Sequence, residues 1–296
     1  MATLYTQQSV NVRKTWFLMT VFFVMIVAIG YFLNWYYGSP IIMYVAIGFA
    51  LFMNVASYWW SDKLVVKMTG ARPADAHHHR DLINVVENLS ITAGLPMPKV
   101  YVVNDPAPNA FATGRDPKHA VVAATTGLLQ ILDRTELEGV IAHELAHVGN
   151  RDMLVSTVAV VLAGFVAIVA DLMMRSILWG GNNRDRHPAF LIIGIVGIIL
   201  APIAAQLIQM AVSRKREYLA DATGALLTRY PEGLASALEK ISSYSRPMQR
   251  ANTATAHLFI SDPFGKEKGI MSKISGLFQT HPPAADRIRI LREMGK

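Results

Sequence analysis

Cysteine is absent from the 296-residue chain. This absence excludes disulfides, thiol catalysis, cysteine-ligated zinc fingers and iron–sulfur clusters. The Gly-x-x-x-x-Gly-Lys-Ser/Thr motif is also missing, so we expect no ATP site. Charged residues are scarce, at 17%, whereas soluble domains average about 25%. An ordinary soluble enzyme is therefore disfavoured, and we assign the net charge of +7 to contact with an anionic lipid bilayer rather than with nucleic acid.

Four stretches of the sequence contain no charged residue. The first, from Thr15 to Ser61, has 47 residues, whereas one transmembrane helix needs about 20. Turn-forming and interfacial residues at 34–40 divide it in two. The predicted spans are 16–33, 41–59, 153–170 and 189–212. Two other interpretations stay open: the runs are core helices of a soluble protein, or the first run is a cleaved signal peptide.

The distribution of Lys and Arg predicts the orientation of these spans. With four spans, 25 of the 28 basic residues lie on one side of the membrane, which is then the cytoplasmic side and carries both termini. The chain divides into an N-terminal tail with the first hairpin, one part of a cytoplasmic domain, a second hairpin, and the rest of that domain. The corresponding segments are 1–60, 61–152, 153–212 and 213–296.

The chemistry-bearing motif is His-Glu-x-x-His, formed by His143, Glu144 and His147. Apolar residues recur at helical spacing around it, and Thr135 with Glu138 predicts a capping box. Because side chains four residues apart on a helix point the same way, the two imidazoles can bind one Zn²⁺. Glu144 is then placed beside the metal, where it can take a proton from water.

A zinc site of this kind needs a third protein ligand. The metzincin extension fails, because positions 150 and 153 are Asn and Met. Glu217 and Asp221 follow the fourth predicted span, and their spacing suits a metal ligand and an acid that holds a ligand His through its other ring nitrogen. Two spans separate His147 from Glu217, so both return to one membrane face, and we expect the site within about 10–15 Å of it.

Two short segments of alternating or apolar character, 99–103 and 120–124, predict strands. The second segment consists of Ala120, Val121, Val122, Ala123 and Ala124. It precedes the motif helix, and it is either an ordinary packed strand or one that pairs with an extended substrate. The run of three His at 77–79 is interpreted as solvated.

Four segments of the chain resemble one known family. They are 109–114, 143–147, 213–222 and 280–283. The family is HtpX, the bacterial membrane-embedded zinc metalloproteases related to CAAX-prenyl proteases, and the resemblance covers nearly the whole chain. It implies an α-rich membrane protein with four transmembrane helices and a cytoplasmic α+β protease domain of the zincin type, gluzincin-like, with a small sheet. The longer N-terminal tail departs from the family, and its role is left open.

The resemblance also bears on individual residues. The expected ligands of one Zn²⁺ per chain are His143, His147 and Glu217, with Glu144 as the general base and Asp221 in a supporting position. His281, in the Thr-His-Pro-Pro segment, is placed near the metal, where it either stabilises the transition state or blocks the metal as a fourth ligand; a surface His is the alternative. Asn109 joins the strand 120–124 as a candidate contact of the substrate.

We therefore expect a zinc-dependent endopeptidase, integral to the bacterial plasma (inner) membrane, that cleaves membrane proteins in quality control and stress response from an active site facing the cytoplasm. Two alternatives stay open. One is a prenyl-protein protease, and the other is a non-catalytic adaptor or chaperone whose structural zinc is closed by His281 or Asp221. A metal transporter is excluded, because the predicted spans contain no His and no Glu.

Overall fold

A computed structural model describes residues 4–179, 214–249, 255–264 and 281–295. Over these residues the chain is helix-rich and contains one small mixed sheet. Long apolar helices come first, and the sheet and the shorter helices that follow surround the His-Glu-x-x-His motif.

Two long apolar helices begin the chain. Helix α1 spans Leu4–Tyr37 and helix α2 spans Pro40–Trp59, and each is long and apolar enough to cross a membrane. Gly38, at φ 65°, turns the chain between them. Gly30 lies so close to Ala46 that a side chain there has no room. The first two predicted spans fall within these helices, although α1 continues through most of the segment predicted as a turn.

A third long apolar helix follows the motif. The motif helix, α6, spans Arg134–Asn150, and α7 spans Asp152–Trp179 after a bend of 84°. Arg151 forms the bend in the left-handed conformation, at φ 57°. Helix α7 contains the third predicted span and packs on α1 in one apolar cluster. By length and composition the bent pair is a third candidate membrane segment. The fourth predicted span, 189–212, lies outside the described residues.

The sheet is built from short, mostly buried strands. They are β1 (Arg72–Pro73), β2 (Lys99–Val103), β3 (Ala110–Thr113) and β4 (Val121–Thr125). Their order is β1-β2-β4-β3. Strands β2 and β4 are parallel, with Lys99 opposite Val121, whereas β3 runs antiparallel to β4, with Ala110 opposite Ala124.

The central position of β4 favours one of the two interpretations of segment 120–124, the ordinary packed strand. All of its residues are buried, and it is hydrogen-bonded to β2 on one side and to β3 on the other. Pairing with a substrate strand is therefore not available to Ala120, Val121, Val122, Ala123 and Ala124. Their apolar run reflects burial on both faces, as is usual for a strand with a parallel neighbour. The outer strand next to β4 is β3, which Asn109 precedes.

Helix α6 lies at the centre of the part of the fold that combines the sheet with the shorter helices. The other helices are α3 (Ser61–Thr69), α4 (Arg80–Ala93), α5 (Thr126–Ile131), α8 (Arg214–Thr228), α9 (Pro231–Ser243) and α10 (Ala284–Met294), with 3₁₀ turns at Pro117–His119 and Ala256–Leu258. Helix α6 packs against β3, α4, α8 and α9, and α10 covers α8 and α9. Gly139 allows the close approach of α9, because a Cβ there would lie 2.5 Å from Leu234 N.

Candidate metal centre

Helix α6 begins with a capping box that lies two residues earlier than predicted. The Asp133 carboxylate accepts a hydrogen bond from Glu136 N at 2.9 Å, and Glu136 Oε2 accepts one from Asp133 N at 2.8 Å. The predicted pair, Thr135 and Glu138, does not form the cap. Glu138 instead contacts Arg134, at 3.1 Å on the helix surface. The helix then continues through the whole motif, as its periodicity predicts.

Three predicted ligands lie together. The Nε2 atoms of His143 and His147 are 3.2 Å apart on one face of α6. Glu217, from α8, places its two carboxylate oxygens 3.7 Å from His143 Nε2 and 3.5 Å from His147 Nε2. One ligand atom from each residue lies within 4.8 Å of the others. Two imidazole nitrogens and a carboxylate oxygen are a donor set that suits Zn²⁺.

Helix α8 brings a second acid to His143. Asp221, one turn after Glu217, places Oδ1 2.9 Å from His143 Nδ1. The helices meet closely because Gly224 has no side chain: a Cβ there would lie 3.0 Å from His143 N. Burial lowers the pKa of His143 to about 4, so its ring is neutral. Since a carboxylate only accepts hydrogen bonds, the ring proton lies on Nδ1, and the lone pair of Nε2 points at the other ligands.

His147 has a carboxylate partner that the sequence pattern did not predict. Asp152, the first residue of α7, places Oδ2 3.1 Å from His147 Nδ1, while its Oδ1 accepts a hydrogen bond from Arg216 at 3.3 Å. The 84° bend after α6 brings this carboxylate back over the last helical turn. The sequence offered one signal for this partner, an Asp five residues after the motif, and nothing in the sequence predicted the bend at Arg151.

A buried arginine from the C-terminal helix was not predicted either. Arg287, on α10, is 1% exposed and donates two hydrogen bonds to Asp221, from Nε at 2.8 Å and from a terminal nitrogen at 2.6 Å. Burial raises the pKa of Asp221, but the pairing with Arg287 outweighs burial and holds the pKa at about 2. The carboxylate that holds His143 is thus ionised and fixed in two directions.

His281 lies at the cluster, as predicted from the family resemblance. Its Nδ1 is 2.6 Å from Glu217 Oε2, so the ring contacts a predicted metal ligand directly. Its Nε2 is buried and has no hydrogen-bond partner among the described residues. A buried polar atom without a partner is costly, and at such a site it is suited to a ligand that arrives from outside the chain.

The charges around the cluster favour a bound cation. Four carboxyl groups face two guanidinium groups, so the acidic side chains outnumber the arginines. These groups are Glu144, Asp152, Glu217, Asp221, Arg216 and Arg287. Burial lowers the pKa of His147, but the carboxylates of Glu217 and Asp152 outweigh burial and raise it to about 9. The position between the imidazoles therefore attracts positive charge, and the residues fit a divalent metal ion.

Glu144 lies between the two histidines on α6 and is 2% exposed. Burial raises the pKa of Glu144 to about 7, and the charges of His147 and Glu217 act on it as well. A carboxyl group that gains and loses a proton near neutral pH is suited to general acid–base chemistry.

The other residues singled out in the sequence are not among these metal-site contacts. The side chain of Asn109 contacts the backbone of Ser261, donating to its carbonyl at 2.9 Å and accepting from its amide at 3.2 Å. In the His run at 77–79, the first two residues are exposed and His79 is half-buried, and His78 and His79 both contact Asp75 in the turn before α4. Asn109 therefore remains a candidate on the edge strand, whereas the His run stabilises a turn.

Comparison with known proteins identifies one family. The profile of peptidase family M48 matches residues 76–295. The protease HtpX homolog of Caldanaerobacter subterraneus subsp. tengcongensis is 48% identical over 301 residues, which cover 99% of this chain and 98% of the relative. The homolog from Tropheryma whipplei strain Twist is 54% identical over 255 residues, covering 86% of this chain and 84% of the relative.

A solved structure shares the fold. The crystal structure of S. mikatae Ste24p matches with a TM-score of 0.50, over 98% of this chain and 67% of that chain. The two sequences are 15% identical, so this similarity concerns the fold alone.

Proposed function

This chain belongs to peptidase family M48 and is a membrane-associated metalloprotease, and from that premise we propose that it is an integral membrane, zinc-dependent endopeptidase. Its substrates are membrane proteins, which it cleaves in quality control and stress response. The single observation that carries the proposal is the convergence of His143, His147 and Glu217 on one point, with Glu144 next to His143 in the motif helix.

The three converging residues would hold one Zn²⁺ per chain. When bound, the metal supplies Lewis acidity toward a carbonyl oxygen and lowers the pKa of a nearby water. Asp221 and Asp152 each face the Nδ1 atom of one ligand ring, which leaves both Nε2 atoms free for the metal. Their role is to orient the rings and to make them better ligands.

Glu144 acts as the general base in this proposal. Its carboxylate takes a proton from the attacking water and passes it to the leaving amine, which balances the proton over the hydrolysis. Support comes from its position on α6 between the ligands and from its burial, which keeps competing solvent away.

His281 and Asn109 are proposed as substrate-side residues. With a proton on each ring nitrogen, His281 can donate from Nδ1 to Glu217 and from the unpartnered Nε2 to the carbonyl oxygen as negative charge develops on that oxygen. Asn109 stands at the start of the outer strand β3 and already binds a backbone amide and carbonyl, which is the chemistry an extended peptide offers.

The proposed topology has four spans, with the metal centre and both termini in the cytoplasm. Helices α1, α2 and α7 supply three apolar segments, and the uncharged run 189–212 supplies the fourth. Segments 61–152 and 213–296 then form one protease domain on either side of the second hairpin. The excess of Lys and Arg in these two segments supports the orientation in a bacterial inner membrane.

The proposal is tested with purified full-length chain in detergent, a membrane-protein substrate, and a chelator. Glu144→Gln should keep about one zinc per chain and lose cleavage by roughly 10²–10⁴-fold. Glu138→Gln, on the exposed side of the same helix, is the matched control and should cleave like the wild type. Equal cleavage by Glu144→Gln would overturn the mechanism and favour a structural zinc in a non-catalytic adaptor.

A further inference from the structure

The N-terminal tail reaches the metal centre. Asn11, near the start of α1, is fully buried, and its Nδ2 donates two hydrogen bonds, to Asn150 O at 3.0 Å and to Asp152 Oδ1 at 2.7 Å. Gln8, one turn earlier, donates to Gly149 O at 2.7 Å. The tail thus binds the backbone at the end of the motif helix and the carboxylate at the start of α7.

The orientation of the Asn11 amide is fixed by its partners. Both atoms near Nδ2 are oxygens that only accept, so exchanging nitrogen and oxygen would set acceptor against acceptor. The Oδ1 atom of Asn11 is buried and has no partner among the described residues. A buried amide that leaves its oxygen unpaired is costly, whereas an apolar residue of similar size would avoid that cost. The amide nitrogen is therefore the part of Asn11 that matters here.

Asp152 connects the tail to a metal ligand. Its Oδ1 receives Asn11 and Arg216, and its Oδ2 faces Nδ1 of His147. Asp152 also stands in the first turn of α7, where the helix dipole favours a negative charge. Because Oδ1 of Asp152 is held by two donors, the position of Oδ2 is fixed as well, and Oδ2 can orient the imidazole of His147.

Helix α1 is long enough to cross a membrane and still reach Asp152 with its N-terminal end. Its 34 residues extend about 51 Å, whereas the apolar core of a bilayer is about 30 Å thick. About 20 Å of helix therefore lies outside the core. Asn11 precedes the predicted span 16–33, on the side where the motif helix ends and α7 begins.

We infer that the N-terminal end of α1 is part of the metal centre, where Asn11 is a positioning residue that fixes Asp152 and, through it, the ring of His147. This inference rests on the proposed metal site. The contact gives the N-terminal tail a specific role, since the rigid helix that leaves the membrane also holds one of the two ligand histidines in place.

The test compares the buried Asn11 of α1 with the half-buried Asn54 of α2. Asn11→Leu removes the amide nitrogen at the metal centre, and Asn54→Leu removes a similar hydrogen bond, from Asn54 to Met19 O at 3.2 Å, between α1 and α2. Both asparagines leave their Oδ1 atoms unpartnered among the described residues, and Asn54→Leu therefore controls for replacing such an amide by Leu, although Asn11 donates two hydrogen bonds and Asn54 one. The full-length variants are loaded with zinc and titrated with a chelator, and the visible spectrum of the Co²⁺-loaded chain reports the ligand geometry.

Asn11→Leu should bind zinc about 10–100-fold more weakly and change the Co²⁺ spectrum, whereas Asn54→Leu should keep the wild-type affinity and spectrum. Asn11→Asp, which sets a carboxylate against Asp152, should weaken zinc binding further. Unchanged zinc affinity in Asn11→Leu, or an equal loss in Asn54→Leu, would overturn the inference and leave the metal site standing. A wild-type chain that binds no zinc would instead overturn the proposed site itself.

Discussion

The two ligand histidines are held by the same kinds of side chain in two different parts of the molecule. On one side, His143 faces Asp221, which pairs with Arg287. On the other side, His147 faces Asp152, which pairs with Arg216. Each imidazole thus contacts a carboxylate, and that carboxylate in turn contacts a guanidinium group.

The two sides differ in burial and in origin. The His143 side is 1–2% exposed and its Asp–Arg pair is bidentate, within 2.6–2.8 Å. The His147 side is 6–15% exposed, and its Asp–Arg contact is a single one of 3.3 Å. Helices α8 and α10 supply the first side, whereas the second combines Arg216 of α8 with Asp152 of α7 and Asn11 of α1. The comparison teaches that the metal centre joins a rigid core to helices that lead toward the membrane.

The largest effect is expected from breaking the His143 side. Arg287→Leu leaves the buried carboxylate of Asp221 without its cationic partner, which typically destabilises a protein by about 3–5 kcal/mol. Unfolding monitored by circular dichroism should show this loss together with weaker zinc binding. The matched variant Arg289→Leu changes an exposed arginine of the same helix and should alter stability by about 0.5 kcal/mol or less. Similar unfolding curves for the two variants would contradict the rigid-core assignment.

Breaking the His147 side should affect the metal more than the fold. Asp152→Asn removes the negative charge that faces His147 while keeping the side chain's shape, and we expect zinc affinity to fall about 10–100-fold. Because this side is somewhat less buried and its Asp–Arg contact is longer, the free energy of unfolding should fall less than in Arg287→Leu. Chelator titration and unfolding are measured on the same preparations. A larger loss of stability than of zinc affinity would reverse the proposed difference between the sides.

A smaller effect is expected at the contact of α6 with α8. Gly224→Ala places a Cβ 3.0 Å from His143 N and 3.2 Å from its Cα, so α8 must shift by a few tenths of an ångström. We expect a loss of stability of about 1 kcal/mol and weaker zinc binding, since overpacking outweighs the better helix propensity of Ala. Gly149→Ala is the control, because its Cβ meets only Leu95 at 3.8 Å. Equal behaviour of the two variants would show that the helix contact does not position the ligands.

The smallest effect is expected from cysteines that report topology. The chain has no cysteine, so single ones at Asn183 and Ser213 give labels without background. A membrane-impermeant thiol reagent applied from outside the cell should label position 183 and spare position 213, with activity unchanged. Labelling of both positions, or of neither, would contradict the second hairpin and its cytoplasmic protease domain.

The local pattern of the sequence predicts the three ligands and one of their supports, Asp221, but not the other supports. The spacing of His143 and His147, and of Glu217 and Asp221, matches the helical period, so each pair is expected to share one helix face. The partners Asp152, Arg216 and Arg287 depend on long-range packing and on the bend at Arg151, and no local period marks them. The strand order that encloses β4 is likewise a tertiary property, which is why the sequence left open whether segment 120–124 is an ordinary packed strand or one that pairs with a substrate.

The most direct test of the account is the zinc content and cleavage activity of Glu217→Ala beside the wild type. The account predicts about one zinc per wild-type chain, and a Glu217→Ala chain from which a chelator readily strips the metal and which does not cleave. Glu232→Ala, at an exposed acid on α9, should retain both zinc and activity. A fully zinc-loaded and active Glu217→Ala protein would contradict the proposed centre and move the third ligand elsewhere.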